Sequence, residues 1–325
     1  MSRMLYTTDE LVTAVRSRLD EMNRDSVDTN RDILPALNRA LEYAVDIYSR
    51  HYPDPFLAYT VLDLNGSDQD YDIPGNVYED RIVRIEIKTS RNTYREVTRI
   101  LYRDVVNYET DGSTAIPYYY TIVGRKIHFV PSPSGTYDAR LWYIKEPEPL
   151  VLQQGRITRV NVAGNYVVVD SVGNDLTTES DQLNNYVNII NGQTGEVRGT
   201  LQIASIDGGR ITFRSTLSRS TVVGLPVSAS LTGIGAADDD YICVAEGTCI
   251  PYLGAPTSNF LIQFAVAEIS RQLGLNSIEE EQILDKFEKQ VQKTWAGRET
   301  TIRVAKRSQA FGVPIRPWFT VTRGR

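Results

Sequence analysis

Two cysteines and two histidines in 325 residues leave little material for the side chains that small reactive sites most often use. Cys243 and Cys249 stand at a spacing that matches no metal motif, and one pair in a chain this long is no disulfide framework. The expectation is a protein made in a reducing cytoplasm. His51 and His128 have no neighbouring cysteine or spaced histidine that would complete a zinc site, so each is expected to be a satisfied structural residue. No run of about 18 apolar residues is present, which excludes a helical membrane span. The opening MSRMLYTTDELV lacks the apolar core and cleavage site of a secretory signal. No glycine-rich loop leads from a strand into a helix, and no serine sits in a nucleophile elbow. Asp238-Asp239-Asp240 offers the hard oxygen ligands that calcium needs, but an acidic run of this kind also serves as a solvated linker. Glu146 and Glu148 are the type of pair that general acid–base chemistry uses, and surface pairs like them are common without it. The expectation is no catalytic residue, no cofactor, no metal and no enzyme.

What the chain has in plenty is tyrosine, 19 of them, within an ordinary hydrophobic share of 41%. Tyrosine joins a large apolar ring to a polar tip and suits surfaces that are buried only on assembly. The charge is unevenly spread. From Arg298 onward there are seven basic residues and one acidic, a net of +6, so the preceding 297 residues carry −12 against a total of −6. A basic end on an acidic body is a pattern for docking onto another surface. Pro314, Ile315, Pro317, Trp318 and Phe319 make this end too apolar for a merely solvating tail. The candidate docking residues are Arg303, Lys306, Arg307, Phe311, Ile315, Arg316, Trp318, Phe319 and Arg323.

Periodicity divides the rest. Thr7 and Glu10 form a capping-box pattern ahead of Leu11, Val15, Leu19 and Met22 at helical spacing. A second helix is expected from near Asp32, with Pro35 in its first turn, the stripe Leu34, Leu37, Leu41, Ala44 and Tyr48, and Pro53 as its end. Strands follow from Leu57: an Asn65-Gly66 turn, Tyr71-Asp72-Ile73-Pro74, a clean alternation over Arg81–Lys88, and Thr93–Val97. The stretch Pro117–Pro147 alternates with period 2 and is broken at Gly124 and at Pro131–Gly135, which predicts a three-stranded antiparallel meander in a sheet of about six strands. From Gln153 to about Ala236 only short strands recur, at roughly ten-residue spacing, and they predict a small barrel or sandwich inserted into the core. Two helices close the chain. The first is capped by Ser258 and carries Phe260, Leu261, Phe264, Ala265 and Leu273; the second opens at Ser277 and carries Ile283, Phe287, Val291 and Trp295. The fold class expected is α+β: a four-helix layer from the N- and C-terminal helix pairs, an antiparallel β region, an inserted all-β module and an extended C-terminal arm. The boundaries expected are 1–152 and 241–297 for the two parts of the core, 153–240 for the module and 298–325 for the arm.

This order of features carries a resemblance. The capped helix pair, Tyr71-Asp72-Ile73-Pro74, Pro117-Tyr118-Tyr119-Tyr120 with Gly124, Pro131-Ser132-Pro133, and Leu141-Trp142-Tyr143 before an exit proline look like the head-to-tail adaptors of tailed, particularly short-tailed, bacteriophages. The likeness covers about residues 5–150 and 250–297; the module at 153–236 departs from the shortest family pattern. It implies a homo-oligomeric ring, typically of twelve copies, assembled in the host cytoplasm and placed at the virion neck. The ring would bind the portal protein above and a tail or nozzle protein below, and genomic DNA would pass through its lumen without sequence-specific binding. It further implies that the C-terminal arm reaches into the portal. The expectation from another class is a receptor- or glycan-binding tail component that uses the β module. A cell-wall hydrolase in the particle is a third.

Overall fold

In the computed structural model the described residues are 6–19, 26–51, 53–66, 68–90, 93–108, 116–179, 182–215, 227–228, 230–245, 247–251, 255–274 and 282–293. The docking residues Arg303–Arg323, the cap at Ser277, Met22 and Trp295 lie outside them. The chain divides into two compact units, one drawing on Asp9–Tyr52 and the residues from Leu253 onward, the other on Pro53–Tyr252 with the N-terminal residues before Asp9.

The first unit is helical: α1 (Thr8–Arg18), α2 (Leu34–His51), α4 (Ala255–Gln272) and α5 (282–293). α2 starts through a π-helical turn over Thr29–Ile33 whose cap is Asp28, not Asp32. Asp28 Oδ1 accepts from the backbone N–H groups of Asn30 and Arg31 at 2.9 and 2.8 Å, and Asp32 Oδ2 accepts from Asp28 N at 2.8 Å. Both carboxylates satisfy donors that the first turn leaves open. The sequence pattern placed the start late because Asp32 and Pro35 look like a cap and an N1 proline on their own. α4 likewise begins three residues before Ser258, which is buried inside the helix rather than capping it. Phe260 of α4 stacks on Phe287 of α5 with centroids 4.0 Å apart, and Tyr48 of α2 meets Phe287 edge-on at 5.6 Å. Tyr43 of α2 packs against Phe264 of α4, and Tyr48 Oη lies 3.1 Å from Thr257 Oγ1. Three helices therefore share an aromatic seam around Phe287.

The second unit holds two sheets. The first has seven strands in the order β1-β7-β3-β4-β5-β6-β2, with β1 Leu57–Leu64, β2 Asp70–Asp72, β3 Val77–Ser90, β4 Thr93–Arg99, β5 Tyr119–Val123, β6 Lys126–Val130 and β7 Tyr137–Lys145. The sheet is mixed, since β4 and β5 pair parallel. The expected meander is corrected here. β5 and β6 make an antiparallel hairpin, but β7 leaves β6 and inserts between β1 and β3, pairing antiparallel with both. Alternation fixes which face a side chain takes and not which strand lies next to it. β7 turns Ala139, Leu141 and Tyr143 into the core, all of them buried, and this suits a position with a partner on each side. The sheet wraps a single core that includes Leu64, Ile73, Ile85, Ile87, Phe129 and Leu141. Its two edge strands, β1 and β2, are joined only by residues 65–69, so the end of one and the start of the other lie within about 20 Å. Where this link passes Pro131–Thr136, Gly66 (φ +77°) comes so close to Gly135 that a Cβ would stand 2.9 Å from its backbone nitrogen. Only glycine satisfies both the left-handed backbone and that approach.

The second sheet is a closed barrel in the order β10-β11-β12-β9-β8-β13, with β8 Gln153–Asn161, β9 Tyr166–Val169, β10 Tyr186–Ile190, β11 Val197–Asp207, β12 Arg210–Phe213 and β13 Tyr241–Val244. Ile157, Val167, Val187, Ile189, Leu201, Ile203, Ile211, Phe213 and Ile242 fill it. This is a packed interior, as a barrel this small requires. The strand that closes it, β13, lies just beyond the 153–240 span expected for the module. β13 contributes only Tyr-Ile-Cys-Val after an acidic run, too short a stretch to show alternation. The short helix α3 (Leu231–Ile234) precedes β13. The chain enters and leaves the barrel side by side: Val151 N donates to Thr248 O at 3.0 Å and Thr248 N to Pro149 O at 2.9 Å.

Candidate interaction surfaces

The residues singled out for reactive chemistry are engaged in holding the fold. His51 Nε2 lies 3.0 Å from Glu288 Oε1, joining α2 to α5, and His128 Nδ1 lies 2.7 Å from Asp70 Oδ1, joining β6 to β2. The three aspartates before β13 point to separate partners. Asp238 Oδ1 accepts from Val160 N at 3.1 Å, Asp239 Oδ1 pairs with Arg156 at 2.7 Å, and the buried Asp240 pairs with Arg198 at 2.7 Å and accepts from Ala237 N at 2.8 Å. They clasp the barrel and converge on no common point. Glu148 pairs with Lys145 at 2.6 Å. Cys243 and Cys249 are free and buried together, and burial, reinforced by the neighbouring Cys249 thiol, pushes the Cys243 thiol well above its ordinary pKa. A thiol held in this state is a poor nucleophile. Among the described residues no group of three His, Cys, Asp or Glu side chains is placed to hold a metal ion, and no helix is long and apolar enough to cross a membrane.

What the second unit does present is surface. On the outer face of the seven-stranded sheet, Tyr59 of β1 stands directly opposite Trp142 of β7, their rings 5.0 Å apart, and Arg84 of β3 lies 4.9 Å over the same indole. Trp142 Nε1 donates to Glu86 Oε2 at 2.9 Å, which fixes the indole in place. Arg140 of β7 lies 3.8 Å over the ring of Tyr94 and 5.6 Å from that of Tyr59, and among the described residues it has no carboxylate partner. Lys88 and Asp138 close the row at 2.8 Å, and this bond raises the pKa of Lys88. The face follows from strict alternation: Tyr59, Val61 and Asp63 point outward while Leu62 and Leu64 point into the core. Tyr59 is 54% exposed, and with Val61 beside it on β1 it leaves an apolar patch on this face. Tryptophan, tyrosine and arginine held rigid on strands are the residues that dominate binding energy at protein interfaces.

A second exposed group surrounds the 3-10 turn Tyr102–Asn107, where Leu101, Tyr102 and Val106 face solvent while Val105 is buried. Tyr108 meets Tyr119 at 4.4 Å, and Arg95 lies 3.9 Å over Tyr118 while donating to the carbonyl of Pro117 at 2.6 Å. Sequence reasoning reads Pro117–Pro147 only as strands and places the candidate docking residues in the C-terminal arm. The signal that it passed over was the outward set of each alternation, in which Tyr59, Val61, Trp142 and Tyr118 are too apolar for a face left in water.

A protein-family model described as SU10 adaptor protein matches residues 6–172, which takes in α1, α2, the whole seven-stranded sheet, β8 and β9. No curated protein matches the chain.

Proposed function

The chain belongs to the SU10 adaptor protein family, in keeping with the resemblance to bacteriophage head-to-tail adaptors, and from this membership we propose a purely structural role at the neck of the virion. In this reading, copies of the chain close into a ring, of twelve in the simplest case, beneath the portal of a short-tailed phage. The ring joins the DNA-filled head to the tail or nozzle and lines the channel through which the genome leaves. The helix pairs form one layer of the protomer, and the barrel is an insertion into the core. Assembly takes place in the host cytoplasm, and the protein works without catalysis.

The observation that carries the proposal is the family match over 6–172, because it spans the first helix pair and the whole sheet whose outer face is exposed in the protomer. That face gives a ring neighbour a rigid Trp-Tyr-Arg surface, so little side-chain entropy is lost on contact. The C-terminal arm adds Trp318 and Phe319 as anchors, with Arg303, Lys306, Arg307, Phe311, Ile315, Arg316 and Arg323 beside them, and in this reading it docks into the portal. The −12 carried by the rest of each chain favours a channel wall that repels phosphate and lets DNA slide. The glycan-binding alternative needs aromatic side chains exposed on the barrel, and among the described residues the one large apolar side chain counted as exposed there is Val162. The deciding measurement is the native mass of the assembly, alone and with its portal. A closed oligomer that gains the mass of the portal supports the reading, and a monomer under both conditions refutes it.

A further inference from the structure

The two edges of the seven-stranded sheet are treated very differently by the sequence. β2 is three residues long and reads Asp-Tyr-Asp, short and charged, as an edge that must avoid pairing usually is. β1 reads LAYTVLDL over eight residues, with no proline, no glycine, no lysine and one charge. It is hydrogen-bonded to β7 along its full length and, among the described strands, to nothing on its other side. About 26 Å of backbone is left with alternate N–H and C=O groups directed outward. Tyr59 and Val61 are exposed along this edge. Asp63 near its end, and Asp68, Asp70 and Asp72 in the link and in β2 that follow it, are all exposed. Asp72 has one ion-pair partner among the described residues, Lys126 at 3.8 Å.

We propose that β1 accepts an additional strand from a second copy of this chain, and that the strand is Thr300–Ala305. This rests on the reading of the protein as a ring-forming adaptor, and it names how neighbours would be joined. The segment reads Thr-Thr-Ile-Arg-Val-Ala, in which four of six residues are β-branched and no proline or glycine occurs between Arg298 and Phe311. Ile302 and Val304 alternate with Arg303, so one face continues the apolar side of β1 and the other sets a guanidinium beside Tyr59 and Asp63. Lys306 and Arg307 follow at once and complement the four aspartates. Main-chain pairing supplies the affinity and the alternate side chains the register, as in other cases of strand addition. The base of the arm, with Arg303, Lys306 and Arg307, thus clasps the neighbouring copy in place of the portal, and only Phe311–Arg323 reach the portal.

The test uses full-length chains. Val61→Cys is made in copies with one tag and Arg303→Cys in copies with another; the two are mixed, assembled and oxidised with copper phenanthroline, Cys243 and Cys249 being buried. A disulfide joining the two tags is expected for Arg303→Cys and not for Ile302→Cys, whose side chain takes the other face. Ile302→Pro, which cannot continue a paired strand, is expected to lower assembly at least tenfold with unchanged circular dichroism. If wild-type rings form while Tyr59→Cys, Val61→Cys and Asp63→Cys give no link and Ile302→Pro assembles normally, the inference is wrong and the adaptor reading stands. Links confined to a single tag would overturn exchange between copies. A wild-type chain that stays monomeric with and without its portal would remove both readings.

Discussion

Replacing Phe287 by alanine measures how firmly α5, the last described helix before the arm, is held. The side chain is 4% exposed, lies flat on Phe260 at 4.0 Å and meets Tyr48 edge-on at 5.6 Å. Withdrawing a buried phenylalanine forfeits about 2–3 kcal/mol of transfer free energy, and the cavity left behind brings the usual loss to about 3–5 kcal/mol. Each ring contact accounts for about 0.5–1.5 kcal/mol beyond area, so a Phe287→Leu, Phe260→Leu double-mutant cycle should show a coupling in that range. Urea unfolding followed by circular dichroism at 222 nm reads the helical unit. The variant should unfold at lower denaturant with an unchanged slope. A loss below about 1 kcal/mol would mean that α5 is not anchored through this ring, and the aromatic seam would not be what holds the three helices together.

Four other outcomes are expected. Asp28→Ala, by removing the acceptor for Asn30 and Arg31, should cost about 1 kcal/mol, and Asp28→Asn much less, as read by thermal unfolding. The Cys243 thiol is held protonated in the fold, so once pH rises above the ordinary thiol pKa of about 8.5 the unfolded state alone loses its proton and stability should decline; Cys243→Ala should flatten that slope, and a wild-type curve already flat to pH 10 would contradict the burial argument. Removal of 152–247, which cuts where Val151 and Thr248 lie side by side, should leave a soluble protein, whereas removal of 153–240 strands β13 without partners and should aggregate. Trp318→Ala should weaken attachment to portal-bearing heads by about 2 kcal/mol or more, and a change under about 0.5 would make that residue peripheral.

Helices were the most legible part of this chain, because Ile283, Phe287 and Val291 recur every four residues and all three are buried. Their starts were not, since a cap is one side chain among several of the same type, and Asp28 and Asp32 differ only in which donors they reach. The sheet shows the same division at larger scale. Period 2 placed Tyr59, Leu141 and Ile85 on strands, yet the insertion of β7 between β1 and β3 depends on contacts between residues some 80 positions apart, as from Leu57 to Ile144, and local pattern is silent there. The barrel was legible as a type and incomplete by its closing strand. The exposed Tyr59–Trp142–Arg84 row lay in plain alternation, but only the pairing of three strands far apart in sequence brings it together.

The crossing of backbone on backbone at Gly66 and Gly135 gives the seven-stranded sheet one pinned end. A side chain at Gly66 would therefore push the 65–69 link off the Pro131–Thr136 segment and release the end at which the two edge strands are tied.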